Sequence, residues 1–256
     1  MRALAVFVAT ILACLALPAT ATEPRIALVI GNNTYDSGLH KLTNAVPDAE
    51  LIAGALRQAG FDVEEPHRNV NQAEMKELIA NFRRRIEAAG EGAVGVFYFA
   101  GHGLQAYNTN YLMATDAPVG KPADIPRYGF EADEVLWAML KGGADTSILI
   151  LDACRPNDVG KSLRPVSEKG LAQLDGRGIE ERSVQMFWAT ALGEAAADGE
   201  REHSPFAQAL ADNMLVENQS LADLFINVRQ QMKGSGQVPW ESGAMWHKFA
   251  FVGQAK

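Results

Sequence analysis

The sequence predicts an α/β fold with a central, mostly parallel sheet of about six strands and helices on both faces. Strand-like and helix-like segments alternate along the chain, the order expected of a parallel sheet covered by helices. Two long apolar runs, Ala93–Ala100 and Thr146–Asp152, read as buried strands. Residues 22–256 contain no internal repeat and no low-complexity segment, and they are enough for one large domain with a sizeable core.

The elements follow in order. Arg25–Gly31 (R-I-A-L-V-I-G) is a buried strand that runs into the polar turn Asn32–Asp36. A helix over 48–59 carries Leu51, Ile52, Ala55 and Leu56 on one face, and Gly60 ends it. A short strand over 61–64 follows. Met75, Leu78, Ile79, Phe82 and Ile86 recur at helical spacing and predict a long helix over 72–89, stopped by Gly90. The strand over 93–100 delivers His102. Tyr111–Thr115 is a candidate short strand, and a helix over 131–141 stops at Gly142-Gly143. The strand over 146–152 delivers Cys154. A strand over 184–190, helices over 204–215 and 221–233, and a closing strand over 248–252 complete the pattern.

The N-terminus reads as a targeting segment. Arg2 gives a short positive start, Ala3–Leu17 is apolar, Pro18 breaks it, and Ala19-Thr20-Ala21 is a small-x-small cleavage signature. The apolar stretch falls short of the roughly 20 residues of a membrane span. Export to the periplasm or outside the cell is expected, with residues 1–21 as signal peptide and 22–256 as the mature domain. An uncleaved anchor and lipidation of Cys14 are the alternatives. The formal charge of −8 becomes one unit more negative without Arg2. An acidic exported domain is a poor fit to nucleic acid or to anionic lipid. Cys154 is then the single cysteine, so no internal disulfide forms, and its thiol is either buried and inert or free and reactive.

His102, in Gly101-His102-Gly103, and Cys154 each follow a predicted parallel strand. Ligands of open parallel sheets bind beyond the carboxyl ends of the strands. If the two strands are neighbours, an imidazole and a thiol share one crevice, the parts of a cysteine nucleophile and its base. The amides of Gly103 and Cys154 are candidate donors to an oxyanion. Taken singly, His102 reads as a turn residue and Cys154 as a core residue.

Asp152-Ala153-Cys154-Arg155, with His102 lying 52 positions upstream, resembles the caspase pattern Q-A-C-[RQG]-G with its histidine about 50 residues before. The similarity extends through Ala27–Asn32, Phe97–Gly103, Asn110–Leu112, Leu149–Arg155, Trp188–Thr190, Ser204–Phe206 and Gln237–Trp240. The chain resembles caspase-family cysteine peptidases, of the bacterial metacaspase- or orthocaspase-like group. The resemblance implies a caspase-like fold and hydrolysis of a protein or peptide substrate, with Cys154 as nucleophile, His102 as proton carrier, and the Gly103 and Cys154 amides as oxyanion donors. It implies no redox or metal cofactor for bond cleavage. Some metacaspases use calcium, but no compact run of acidic ligands resembles a dedicated loop.

Caspases carry glutamine two residues before the nucleophile; here that position is Asp152. Metacaspases carry aspartate there, paired with one at the start of the first helix, where Asp48 stands in this sequence. Two such carboxylates suit an arginine or lysine side chain and imply cleavage after Arg or Lys. Asp198 aligns roughly with a caspase pocket arginine. Asp48 also reads as a plain helix N-cap. The stretch Arg155–Arg182 is rich in Gly, Pro and basic residues and lacks periodicity. It is a surface excursion, or a loop between large and small parts that a basic-specific enzyme would cut in itself. Two other functions remain open: an exported, non-catalytic module that binds a peptide or envelope partner, and ligation on the same dyad.

Overall fold

The computed structural model describes residues 23–36, 38–107, 109–154, 181–190 and 202–254, with Cys154 described by its backbone. The expected signal peptide 1–21 with Cys14, residues 155–180 of the expected loop, and Asp198 lie outside the described residues.

In chain order the elements are β1 (Arg25–Gly31), α1 (Ala45–Gln58), β2 (Asp62–Val63), β3 (His67–Arg68), α2 (Gln72–Ala89), β4 (Val94–Ala106), β5 (Thr109–Met113), α3 (Ile125–Tyr128), β6 (Gly129–Glu131), α4 (Ala132–Lys141), β7 (Thr146–Cys154), β8 (Ser183–Trp188), α5 (Pro205–Met214), α6 (Leu221–Gln231) and β9 (Trp240–Ala244). The sheet runs β2-β1-β4-β7-β8-β9. Its pairs are parallel except the last, where β9 lies antiparallel to β8.

Successive strand residues point to opposite faces, and both faces are covered. Tyr98, Ala100, Ile148, Ile150 and Phe187 pack with α1, α5 and α6. Phe97, Phe99, Leu149, Leu151 and Met186 pack with α2 and α4. This double burial explains why β4 and β7 read as unbroken apolar runs. Gly31 brings β1 against α1: a Cβ there would lie 2.5 Å from the Ala45 carbonyl oxygen and 2.8 Å from the Ala49 Cβ. The α2 helix opens on a capping box between Asn71 and Glu74 and closes on Gly90 at φ 83°.

Three of the expected elements depart from the sequence reading, and β3, α3, β6 and β9 stand where no element was expected. The α1 helix starts at Ala45 with Asn44 as N-cap, so Asp48 lies in the helix and is not its cap. Pro47 sits in the first turn, where a missing N–H costs nothing. The β4 strand does not end at residue 100. It continues through His102 to Ala106 and leaves the main sheet to pair antiparallel with β5. Gly101-His102-Gly103 is therefore extended strand, not a tight turn, and the reversal comes at Tyr107, which adopts φ 48°. The expected strand over 248–252 is an irregular segment, and the sheet edge is β9.

That last segment has no ladder because its carbonyls are taken elsewhere. Arg25 donates to the carbonyls of Ala250 (3.1 Å) and Phe251, and also to that of Ala59 (3.1 Å). The Leu221 amide takes Phe249 and the Asn218 amide takes Val252. The Arg25 guanidinium lies over the Phe61 and Phe249 rings at 5.4 and 5.2 Å from their centroids.

Arg25→Met keeps much of the bulk but leaves three carbonyls without this donor, and it is expected to lower stability by about 2–4 kcal/mol in urea titration. A second expectation concerns pH. Burial, and then the Glu131 carboxylate, push Asp133 in the first turn of α4 from 3.8 up to about 6. A carboxyl raised in the folded state holds a proton there that the unfolded chain has released, so stability falls as pH rises from about 4 to about 6. Asp133→Asn is expected to remove that slope in thermal melts. With solvent screening of this half-buried group it should gain roughly 1 kcal/mol at pH 7.

Candidate active site

The β4 and β7 strands run side by side through nine residue pairs, ending Ala100↔Asp152, Gly101↔Ala153 and His102↔Cys154. Adjacent strands lie about 4.8 Å apart, so the expected base and nucleophile occupy neighbouring backbone positions. His102 has the strand parity of Tyr98, whose face is covered by α1, α5 and α6.

His102 is 1% exposed and gripped by the 32–43 segment. Its Nε2 lies 2.8 Å from the His40 carbonyl oxygen. A carbonyl only accepts, so Nε2 carries the proton and Nδ1 is the basic nitrogen of the neutral ring. The His102 amide donates to the Tyr35 hydroxyl at 2.8 Å. The Tyr35 and His40 rings pack against the imidazole with centroids 4.7 and 4.5 Å away. Gly101 is required by space: a Cβ would stand 2.8 Å from both the Phe99 ring and the Tyr35 Oη.

The segment that grips His102 is itself anchored by two asparagines that follow β1. Asn32 donates through Nδ2 to the Met113 carbonyl and accepts the Val70 amide at Oδ1. Asn33 accepts the Val46 amide at the start of α1 and donates to the Thr43 carbonyl. Asn69, at φ 51°, accepts the amides of both Asn33 and Thr34.

The acidic pair lies close by, with Asp48 2% and Asp152 8% exposed. Ser204 joins the two: its amide donates to Asp48 at 3.0 and 3.3 Å, and its hydroxyl donates to Asp152 at 2.8 Å. Asp152 also accepts the Tyr98 hydroxyl at 3.1 Å, and His203 Nδ1 lies 3.2 Å from Asp48. Burial, and then the charges of Asp152 and Asp48, raise the Tyr98 phenol well above its ordinary value, so it stays a donor. A cavity of about 940 Å³ borders His203 and Ser204, walled by α5 and by the turn after α6.

The structure thus brings Asp48 and Asp152 together, and places the backbone of Cys154 beside His102. Gly103 follows in β4, opposite Leu112. Asp198 and the Cys154 side chain lie outside what is described. Tyr35, His40, Tyr98, His203 and Ser204 were not assigned site roles from sequence. One signal was available: Ser204-Pro205 before an apolar helix is an N-cap followed by proline at the first helical position. Among the described residues, no group of three His, Cys, Asp or Glu is placed to hold a metal ion, and no helix is long and apolar enough to cross a membrane.

Comparison with known proteins places this geometry. The caspase-domain family model matches residues 24–251. Human mucosa-associated lymphoid tissue lymphoma translocation protein 1 is 24% identical over 214 residues, and its mouse homolog is 23% identical. These matches cover 82% of this chain, which spans about a quarter (24%) of those relatives' length. The crystal structure of caspase-1 from Spodoptera frugiperda superposes with a TM-score of 0.66 at 16% identity, covering 91% of each chain. That of protein GSU0716 from Geobacter sulfurreducens superposes with a TM-score of 0.64 at 18% identity, covering 91% of this chain and 98% of the other. The neighbours share the sheet-and-helix architecture described above, and the family model spans nearly every described residue: the chain belongs to the caspase family of cysteine peptidases.

Proposed function

We infer that this chain is an endopeptidase that cleaves after Arg or Lys with His102 and Cys154 as its dyad. The in-register pairing of His102 with Cys154 carries the reading. In this mechanism the Cys154 thiol gives its proton to His102 Nδ1, the resulting thiolate adds to the scissile carbonyl carbon, and the carbonyl π electrons move to oxygen. The Gly103 and Cys154 amides receive that oxyanion. Collapse expels the amine, which takes its proton from His102 Nδ1, leaving a thioester on Cys154. Water then adds to the thioester carbonyl and gives a proton to Nδ1. The carboxylic acid departs, and the thiol is restored.

The basic preference is supported by the Asp48–Asp152 pair. Carboxylates buried this deeply are costly unless compensated. A guanidinium or ammonium entering beside them gains charge-assisted hydrogen bonds, and arginine gains them in parallel. An aspartyl side chain in that place meets like charge. On the reading of residues 1–21 as a cleaved export signal, the enzyme works in the periplasm or outside the cell.

Two experiments test this reading on the mature domain under reducing conditions, with calcium tried. Fluorogenic peptides ending in Arg or Lys are expected to be hydrolysed and their Asp counterpart not. Cys154→Ala and His102→Ala should each lower kcat by at least about 10³-fold. Activity that survives Cys154→Ala removes the nucleophile assignment. Asp152→Asn and Asp48→Asn should each raise KM for Arg peptides by about 10- to 100-fold, the loss of a hydrogen-bonded charge contact. Equal turnover of Asp and Arg peptides removes the specificity. Failure to cleave any peptide favours a non-catalytic binding module.

A further inference from the structure

We propose that Ser204 is the positioning residue for recognition of the basic side chain, holding Asp48 and Asp152 as one unit. The inference rests on the acidic-pocket reading above. Ser204 reaches Asp48, Asp152 and Ala207 from one buried residue. Its hydroxyl oxygen accepts the Ala207 amide at 3.0 Å and so caps α5. With the oxygen used as acceptor, the hydroxyl proton goes to Asp152 Oδ2 at 2.8 Å. Its amide meets both oxygens of Asp48, at 3.0 and 3.3 Å.

This geometry is over-determined. Pro205 at the first helical position fixes the backbone beyond Ser204, and α5 itself is anchored by Phe206, Ala207 and Leu210 in the core. Ser204 therefore transmits a fixed position from a packed helix to two carboxylates on different elements, α1 and β7. The amino end of α5 also presents its partial positive charge to them. Tyr98 assists at Asp152, and His203 at Asp48. Neither of these contacts reaches both carboxylates, which leaves Ser204 as the joint between them among the contacts described. The residue supplies no group to the reacting bond. Its effect falls on how rigidly the pair awaits a cation, and that is read in KM before kcat.

The test separates this role from simple helix capping. Glycine is an acceptable N-cap, and threonine both caps and keeps the hydroxyl. Ser204→Gly, Ser204→Thr and Asp152→Asn are made in the full mature domain and assayed with an Arg-ending fluorogenic peptide, with melting temperature followed alongside. Ser204→Gly is expected to raise KM about 10- to 100-fold, from loss of a hydrogen bond to a charged group, with kcat within about threefold. Ser204→Thr is expected to restore KM to within about threefold of wild type. The proposal is overturned if Ser204→Gly leaves KM unchanged. It is equally overturned if Ser204→Thr fails to rescue, or if KM and kcat deteriorate only in proportion to a lost melting temperature. If Asp152→Asn leaves Arg cleavage intact, the acidic-pocket reading fails and this proposal with it. If Asp152→Asn is impaired and Ser204→Gly is not, the positioning role alone fails.

Discussion

The register of β4 against β7 is the constraint on which the rest of the structure depends. Nine consecutive pairs, from Val94↔Thr146 to His102↔Cys154, set it. A slip of one residue in either strand would turn its side chains to the opposite face. In a sheet buried on both sides the apolar residues discriminate weakly between such alternatives, because Val, Ile, Leu and Phe satisfy either face. Small and polar residues settle the choice. Gly95 leaves room for Met139, Ile86 and Phe82, whose atoms would lie 2.9–3.6 Å from a Cβ there. Asp152 finds the Tyr98 and Ser204 hydroxyls on the α1 and α5 face. Turned over, its carboxylate would meet Phe97, Phe99 and Leu149 in the apolar core beneath α2 and α4, where an unpartnered charge is costly.

Around that register the chain holds the imidazole from one side and the carboxylates from the other. The segment after β1 supplies the His40 carbonyl and the Tyr35 hydroxyl to His102, and is fastened by Asn32 and Asn33 to Met113, Val70, Thr43 and Val46. The segment before α5 supplies Ser204 and His203 to the acidic pair. Loops can place groups this closely only when their backbone polar atoms are satisfied, and here side-chain amides and one N-cap do that work. With Nε2 committed to a carbonyl, the His102 ring keeps Nδ1 as its basic nitrogen at a defined place.

Much of this was legible in the sequence. The alternation of apolar runs and amphipathic segments was sufficient for an α/β sheet covered on both faces, because burying two faces of a parallel sheet leaves little room for anything but continuous apolar strands. Glycines marked the ends of α1 and α2. His102 and Cys154 stood out by spacing and by their place after two buried runs, and the resemblance of the surrounding motifs directed attention to Asp48 and Asp152. The two strand errors share one cause. A local apolar run such as Phe249-Ala-Phe251 looks alike whether its carbonyls meet a neighbouring strand or a distant guanidinium, and Arg25 lies more than 220 positions away. Likewise, nothing local showed that β4 would carry on past Gly103 to a second partner.

The sequence by itself determined which residues could be strand, helix or stop, and which few side chains were candidates for chemistry, since propensity, periodicity and residue type act over short distances along the chain. Tertiary structure alone decided which of those residues are neighbours. His102 and Cys154 share a strand pair through a register set by packing, and the same fold brings Ser204 to two carboxylates that lie 156 and 52 positions before it. Contacts at such separations depend on how buried faces pack and on which polar groups must find a partner once water is excluded.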